Sequence, residues 1–559
     1  MIREEEKMQN QPQTVKKTFL SGVFLLSIST ILVKIVGLLY KIPMLSYLGA
    51  EGMGYFNSAY EIYAFFCVIA TAGLPVALSV LVSAALAKGE NGRVQRLYRA
   101  ALVAFFLIGM LGSILMAVFA GKFCDLIQSE NAKLSILSIS PTVFFICISS
   151  ALRGYFQGYG KMAQTAVSQL IEAVGKLTFG LLLARAALLA GRPTYQVAAA
   201  AGVGLTLGTF ASLLYLIIEK IRFRNSFMGK AENQNAKNAL YTEKIGSICA
   251  SLAKLAVPIT LGAVSVNLTK LIDMTMILRR LQSIGYNEVL ANEAYGGYTT
   301  LALSVYGLLP TLVNSIALPL IPLLSAAIAS NNRERQLALV QASYRITAIF
   351  AIPAAIGISV FSKPILSLLF SGEEAAVLSA APLLSVLGVS VFLSCMITAT
   401  NSVLHAYRSV NRPILSLLAG SVVKIFVAYF LIGNSKIGII GAPISSFFCN
   451  AVVVLLNLIF ADRLCRIPSL WKIFAKPLFF STVSAFFAWS FYQWLVDRMG
   501  EGRIPTLIVL GTMVIVYFIL AVLGGGISDS DLSAVPFGKR LLPILSKIRH
   551  HKDRKESNP

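Results

Sequence analysis

Long apolar runs, each closed by a short polar break, recur from about residue 17 to about residue 526. A hydrocarbon core about 30 Å thick needs about 20 apolar residues as helix. Backbone in lipid must satisfy its own hydrogen bonds, so such runs are expected to be helices. The expectation is an all-α, polytopic membrane protein. Composition agrees: 56% of residues are hydrophobic, 13% are charged, and the mean hydropathy is +0.75. A soluble domain would carry about 25% charged residues.

The pattern predicts about fourteen spans, near 17–45, 55–86, 98–120, 134–158, 165–190, 196–219, 248–278, 298–329, 339–361, 376–406, 413–433, 437–461, 474–496 and 504–526. Lys and Arg accumulate on the cytoplasmic side of membrane proteins. With the N-terminus inside, the inner segments hold clusters such as Lys88, Arg93 and Arg96, or Lys220, Arg222 and Arg224. The outer loops hold scattered residues such as Arg192 and Lys363. Both termini are therefore expected to be cytoplasmic, in a multi-pass membrane protein. The first apolar run exceeds a signal-peptide core and is expected to remain as an anchor. The net charge of +23 lies in loops and tails, where topology explains it, so no nucleic-acid partner is expected. Membrane lipid is the expected surrounding. The 7 cysteines show neither C-x-x-C pairs nor metal spacing.

Two halves resemble each other. Ser83-Ala-Ala-Leu-Ala87 matches Ser325-Ala-Ala-Ile-Ala329, Tyr98–Arg99 recurs as Tyr344–Arg345, and Val174-Gly-Lys176 matches Val422-Val-Lys424. The expected organisation is an N-terminal tail (1–16), a first six-span lobe (17–221), a basic linker (222–247), a second six-span lobe (248–462), two appended spans (463–526) and a basic tail (527–559). Six spans per half make the repeat parallel, with a pseudo-two-fold along the membrane normal, one of two transporter repeat classes.

Ionisable groups inside spans are costly, so they usually face a protein interior or a wet cavity. The deep ones are Lys34, Glu61, Glu172, Lys176, Lys270, Asp273 and Lys424. Lys41 lies nearer a span end. Glu172 and Lys176 stand four apart in the order that favours an intrahelical pair. Lys34 and Lys424 have no carboxylate three or four positions away in the sequence. The excess of lysine suits an anionic cargo, and Lys34, Lys41, Lys270 and Lys424 are the candidate substrate-binding cations. Glu61 and Asp273 are the candidate ion-coupling or cavity carboxylates. The sequence shows no Ser-His-Asp set, metal cluster or nucleotide loop. Neither catalysis nor a cofactor is expected, and transport would run on a gradient, with sodium or proton coupling open.

Several motifs carry a family resemblance. Lys34-Ile-Val-Gly-Leu-Leu-Tyr-Lys-Ile-Pro43, Leu48-Gly-Ala-Glu-Gly-Met-Gly54, Ala59-Tyr-Glu-Ile-Tyr63, Thr71-Ala-Gly-Leu-Pro75 and Leu271-Ile-Asp273 resemble the stage V sporulation protein B and lipid II flippase branch of the MOP (multidrug/oligosaccharidyl-lipid/polysaccharide) exporters. The resemblance implies two six-helix lobes, two appended helices, and translocation of undecaprenyl-diphosphate-linked oligosaccharide, with Lys34 as a basic site residue. It also implies a lipid-linked glycan as substrate and cell-wall synthesis machinery as a candidate partner. The chain departs from the lipid II flippases at Val68, where they carry an arginine, and at Thr299-Thr-Leu-Ala302, where they carry an Asp-Arg pair. Lys270 and Lys41 are candidates for the missing charge. The competing readings are a cation-coupled multidrug exporter of the same superfamily, which would want an acidic cavity, and a glycan polymerase or acyltransferase, which would want a large outer loop.

Overall fold

The computed structural model describes residues 2–231, 245–311, 320–409, 411–465 and 469–525. The basic tail, linker residues 232–244 and residues 312–319 of the eighth expected span lie outside the described residues. The described chain is helical and contains no strand. Twelve stretches within it are long and apolar enough to cross a membrane. Fourteen expected spans and twelve stretches differ for two local reasons.

The first reason is that Ser29–Ala87 counts as one stretch but holds two expected spans. Helix α1 (Ile2–Thr71) is kinked at Gly49, whose φ of 65° and ψ of 177° are not helical. Glycine adopts a positive φ without the clash a Cβ would cause. The kink falls between the first and second expected spans, and the second is itself interrupted. It runs to Thr71, breaks at Ala72–Gly73, and resumes as α2 (Leu74–Ala87), with Pro75 in the first turn. Proline there needs no amide donor, so it fits a helix start. The break is pressed between two neighbours. A Cβ on Gly154 would stand 2.7 Å from the Pro75 carbonyl oxygen, and one on Gly73 would collide with the Ala256 carbonyl.

The second reason lies at the eighth expected span. Its described parts are a π-helical turn at Tyr298–Ala302, the short helix α10 (Leu303–Tyr306) and helix α11 (Leu320–Ala329). A π turn widens the helix and shifts its register. Residues 312–319 lie outside the described residues, so the eighth expected span is not among the twelve stretches.

The chain forms two compact units, Met1–Gly296 and Gly297–Pro559. In the first, α3 (Asn91–Val118), α5 (Lys133–Gly158), α6 (Met162–Leu189) and α7 (Thr194–Ala231) pack around α1 and α2. The short helix α4 (Ala120–Ile127) packs on α5 and α8 (Ile245–Ser283). Helix α8 (Ile245–Ser283), the seventh expected span, packs on α1, α2 and α3, and α9 (Glu288–Gly297) follows it. The repeat assigns α8 to the second half, whereas its contacts place it in the first unit. In the second unit, α12 (Arg333–Val360), α14 (Glu374–Ala406) and α16 (Gly441–Cys465) pack side by side. Helix α13 (Ser362–Leu369) and α15 (Asn411–Ile432) flank them. The appended helices α17 (Leu470–Met499) and α18 (Arg503–Leu523) pack on each other and on α12.

Candidate functional site

Three helices of the first unit bring charge together: α1 carries Lys34, Lys41 and Glu61, α6 carries Glu172 and Lys176, and α8 carries Lys270 and Asp273. Lys34 and Lys270 are exposed on the protein surface and feel each other electrostatically. Lys41 interacts with both Lys270 and Glu61. Glu61 is in turn within range of Lys270, Lys41 and Asp273. The kink at Gly49 lies between Lys41 and Glu61, so the two sit on separate helical pieces of α1. One carboxylate oxygen of Glu61 is buried and has no hydrogen-bond partner among the described residues.

Lys176 extends the cluster. Its ammonium interacts with Lys41 and lies 4.6 Å from the ring centre of Tyr60, 5.0 Å from Tyr40 and 5.7 Å from Phe56. An ammonium within about 6 Å of an aromatic ring can be attracted by the ring quadrupole. The expected close pair with Glu172 does not describe this geometry. Glu172 accepts from an Arg153 guanidinium nitrogen at 2.8 Å. Arg153 also donates to Ser168 at 2.9 Å and to Ser212 at 3.1 Å. Its donors are thereby shared among α6 and α7. Spacing along α6 could not reveal this arrangement, because Arg153 comes from α5. The aromatic cage left a fainter trace, since Phe56 and Tyr60 recur four residues apart, at helical spacing.

Of the four candidate substrate-binding lysines, Lys34, Lys41 and Lys270 lie in this first-unit cluster. Lys424 lies on α15 in the second unit, within electrostatic range of Tyr306. The Tyr306 hydroxyl accepts from Asn450 at 2.9 Å. The first-unit cluster counts Lys34, Lys41, Arg153, Lys176 and Lys270 against Glu61, Glu172 and Asp273, so its formal charge is positive. Such a site can hold an anion and retain carboxylates for a small cation.

A multi-span helical bundle with interrupted helices and a cluster of charges within its apolar spans defines a polytopic membrane protein. The chain belongs to the polysaccharide biosynthesis protein family, which matches residues 19–328. The MatE family matches residues 258–430. Stage V sporulation protein B of Bacillus subtilis (strain 168) is 23% identical over 533 residues, covering 94% of this chain and 99% of that protein. The lipid II flippase MurJ of the same organism is 25% identical over 419 residues, covering 73% and 76%. Among solved structures, a lipid II flippase MurJ in an inward closed conformation superposes with a TM-score of 0.68 at 17% identity, covering 89% of this chain and 98% of that one. An inward-facing multidrug resistance MATE transporter of the MOP superfamily superposes with a TM-score of 0.58 at 13% identity, covering 78% and 98%. These structural likenesses show the shared fold.

Proposed function

We propose that this protein is a flippase that moves an undecaprenyl-diphosphate-linked oligosaccharide, lipid II or a related cell-envelope precursor, from the inner to the outer leaflet by alternating access. The observation that carries the reading is the gathering of Lys34, Lys41 and Lys270 from α1 and α8 into one electrostatic cluster. Glu61 and Asp273 lie beside these lysines, and the remaining positive excess inside membrane spans suits an anionic cargo. A diphosphate is such a group, and lysine binds phosphate as a point charge. The relatives named as a lipid II flippase and a sporulation protein support the same class. The cell membrane is the proposed location, with both termini cytoplasmic and the cell-wall synthesis machinery as a candidate partner.

The MatE match favours a second reading, a cation-coupled multidrug exporter. Organic cations would want carboxylates in excess, and the first-unit cluster has the opposite balance. Within the flippase reading, Glu61 and Asp273 are the proposed sites for a coupling sodium ion or proton.

Complementation tests the reading. Lys34→Ala and Lys270→Ala, with the protein still inserted, are expected to abolish rescue of a flippase-depleted bacterium. Lys34→Arg should retain part of it, because arginine still offers charge to phosphate. Full rescue by both alanine variants would remove the cationic site.

A further inference from the structure

The surroundings of Lys176 say more than its charge. Glycines lock the back of α6 onto α7. A Cβ on Gly175 would stand 2.7 Å from the Gly208 Cα, one on Gly208 would stand 2.5 Å from the Lys176 backbone nitrogen, and one on Gly204 would collide with Gly180. Small residues of this kind let helices in a membrane approach until their backbones touch. With its back held so closely, α6 presents the Lys176 side chain to α1, where Tyr40, Phe56 and Tyr60 receive it. Tyr40 and Phe56 are each 2% exposed, so these faces are fixed by packing. Gly180, four residues beyond Lys176, makes room for the cage. A Cβ there would meet the Tyr40 ring at 3.0 Å.

The carboxylate best placed along the helix to neutralise Lys176 is engaged elsewhere, since Glu172 closes on Arg153. Glu172 remains within electrostatic range of Lys176. Among the described residues, however, the ring faces are the close contacts of the ammonium. Ring faces stabilise the charge of an ammonium. Among the described residues, its N–H donors make no hydrogen bond to an oxygen acceptor. A carboxylate would have to be displaced before an anion could bind, and rings would not. Lys41, already in the cluster, is near enough to repel Lys176.

We propose that Lys176 is a phosphate-binding residue of the lysine cluster, held by an aromatic cage in place of a carboxylate so that its donors remain available to the diphosphate. The assignment rests on the flippase reading above. It makes Lys176 a determinant of charge recognition: a second phosphate group on the lipid gains from it, and the sugar does not.

Binding of two probes to the purified full-length protein in detergent tests the assignment: a C55 polyprenyl diphosphate and the corresponding monophosphate. Lys176→Gln is expected to weaken diphosphate binding by about tenfold, equivalent to ~1.4 kcal/mol, and monophosphate binding by less. Its melting temperature should stay near that of the wild type. Lys176→Arg should keep most of the affinity. Tyr60→Phe, which retains a ring face, should bind as the wild type does, and Tyr60→Leu should bind more weakly. Lys176→Gln with wild-type diphosphate affinity, alongside a weakened Lys34→Gln, overturns the role of Lys176 and leaves the flippase reading standing. Equal losses for the two probes also overturn it. Wild-type protein that binds neither probe overturns the flippase reading and this assignment together. If Lys176→Gln fails to fold, the comparison of Tyr60→Leu with Tyr60→Phe decides.

Discussion

Glu172 has a lysine four residues along its own helix and pairs with an arginine from another. The choice follows from burial. Arg153 is 9% exposed and forms a fork whose nitrogens reach Glu172, Ser168 and Ser212. A guanidinium satisfies several acceptors in a fixed plane, which a lysine cannot do. Removing the arginine of this largely buried pair leaves the Glu172 carboxylate without its ion-pair partner. Arg153→Met is therefore predicted to destabilise the protein by about 3 kcal/mol, read as a lower melting temperature in detergent. The double variant Arg153→Met with Glu172→Leu should recover most of the loss. An Arg153→Met protein that melts like the wild type would show that the pair carries no stability. The contrast is Lys363, which pairs with Glu501 at 2.9 Å with both side chains well exposed. The carboxylate holds the lysine above its usual pKa. That stabilisation is fully present below the unfolded lysine's pKa and fades only as pH rises through the raised folded value. Near neutral pH it is constant, and water and salt screen it. Glu501→Gln is predicted to change stability by less than about 1 kcal/mol. A larger drop would mean the pair is more than an exposed contact. The deep lysines and carboxylates were legible in the sequence as charges inside apolar runs. Their partners were not, because Arg153 stands 19 positions before Glu172 and reaches it only through the packing of α5 on α6 and α7.

At the scale of elements, apolar length predicts where helices run because the bilayer fixes it. Helix breaks were partly legible. Gly73 and Pro75 punctuate the second expected span, and the structure breaks there, between α1 and α2. The kink at Gly49 falls between two expected spans, and the π turn at Tyr298–Ala302 has no comparable sequence mark. The repeat motif Tyr98–Arg99 and Tyr344–Arg345 gains meaning from packing. Tyr98 lies against Lys220 near the end of α7, with the ammonium 3.2 Å from its ring centre. Tyr344 shares a buried cluster with Cys465 at the end of α16. Each tyrosine thus sits by a later helix of its own unit. The contact of α6 with α7 gives the clearest element-scale prediction. Gly204→Leu must push the two backbones apart, and overpacking of this kind costs about 1–3 kcal/mol. Gly92→Ala, where nothing lies within 4 Å of the new Cβ, should leave the melting temperature unchanged. Equal melting temperatures for both variants would contradict the close helix packing on which the Lys176 cage depends.

For the whole molecule, the proposal is a cycle in which a net-positive site accompanies an anionic lipid across the membrane. A charge crossing the full potential is worth about 2.3 kcal/mol per 100 mV. An inside-negative potential pushes the diphosphate outward and draws the empty cationic site back. Collapsing the potential at constant ATP is predicted to stop flipping and hold the carrier facing outward. An unchanged rate would transfer the drive to an ion or substrate gradient, with Glu61 and Asp273 the first carboxylates to replace. Orientation is checked separately: a cysteine at Glu374 should react with an impermeant thiol reagent from outside, and one at Asn235 should not. The reverse pattern would invert the proposed topology. The most direct test of the central claim is whether accumulated lipid-linked precursor becomes accessible at the outer face of a flippase-depleted cell when this protein is expressed. Under the flippase reading, wild-type protein is expected to expose the precursor to an external, impermeant enzyme, and Lys34→Ala, inserted at the same level, is not. Precursor that stays sheltered despite folded wild-type protein would contradict it.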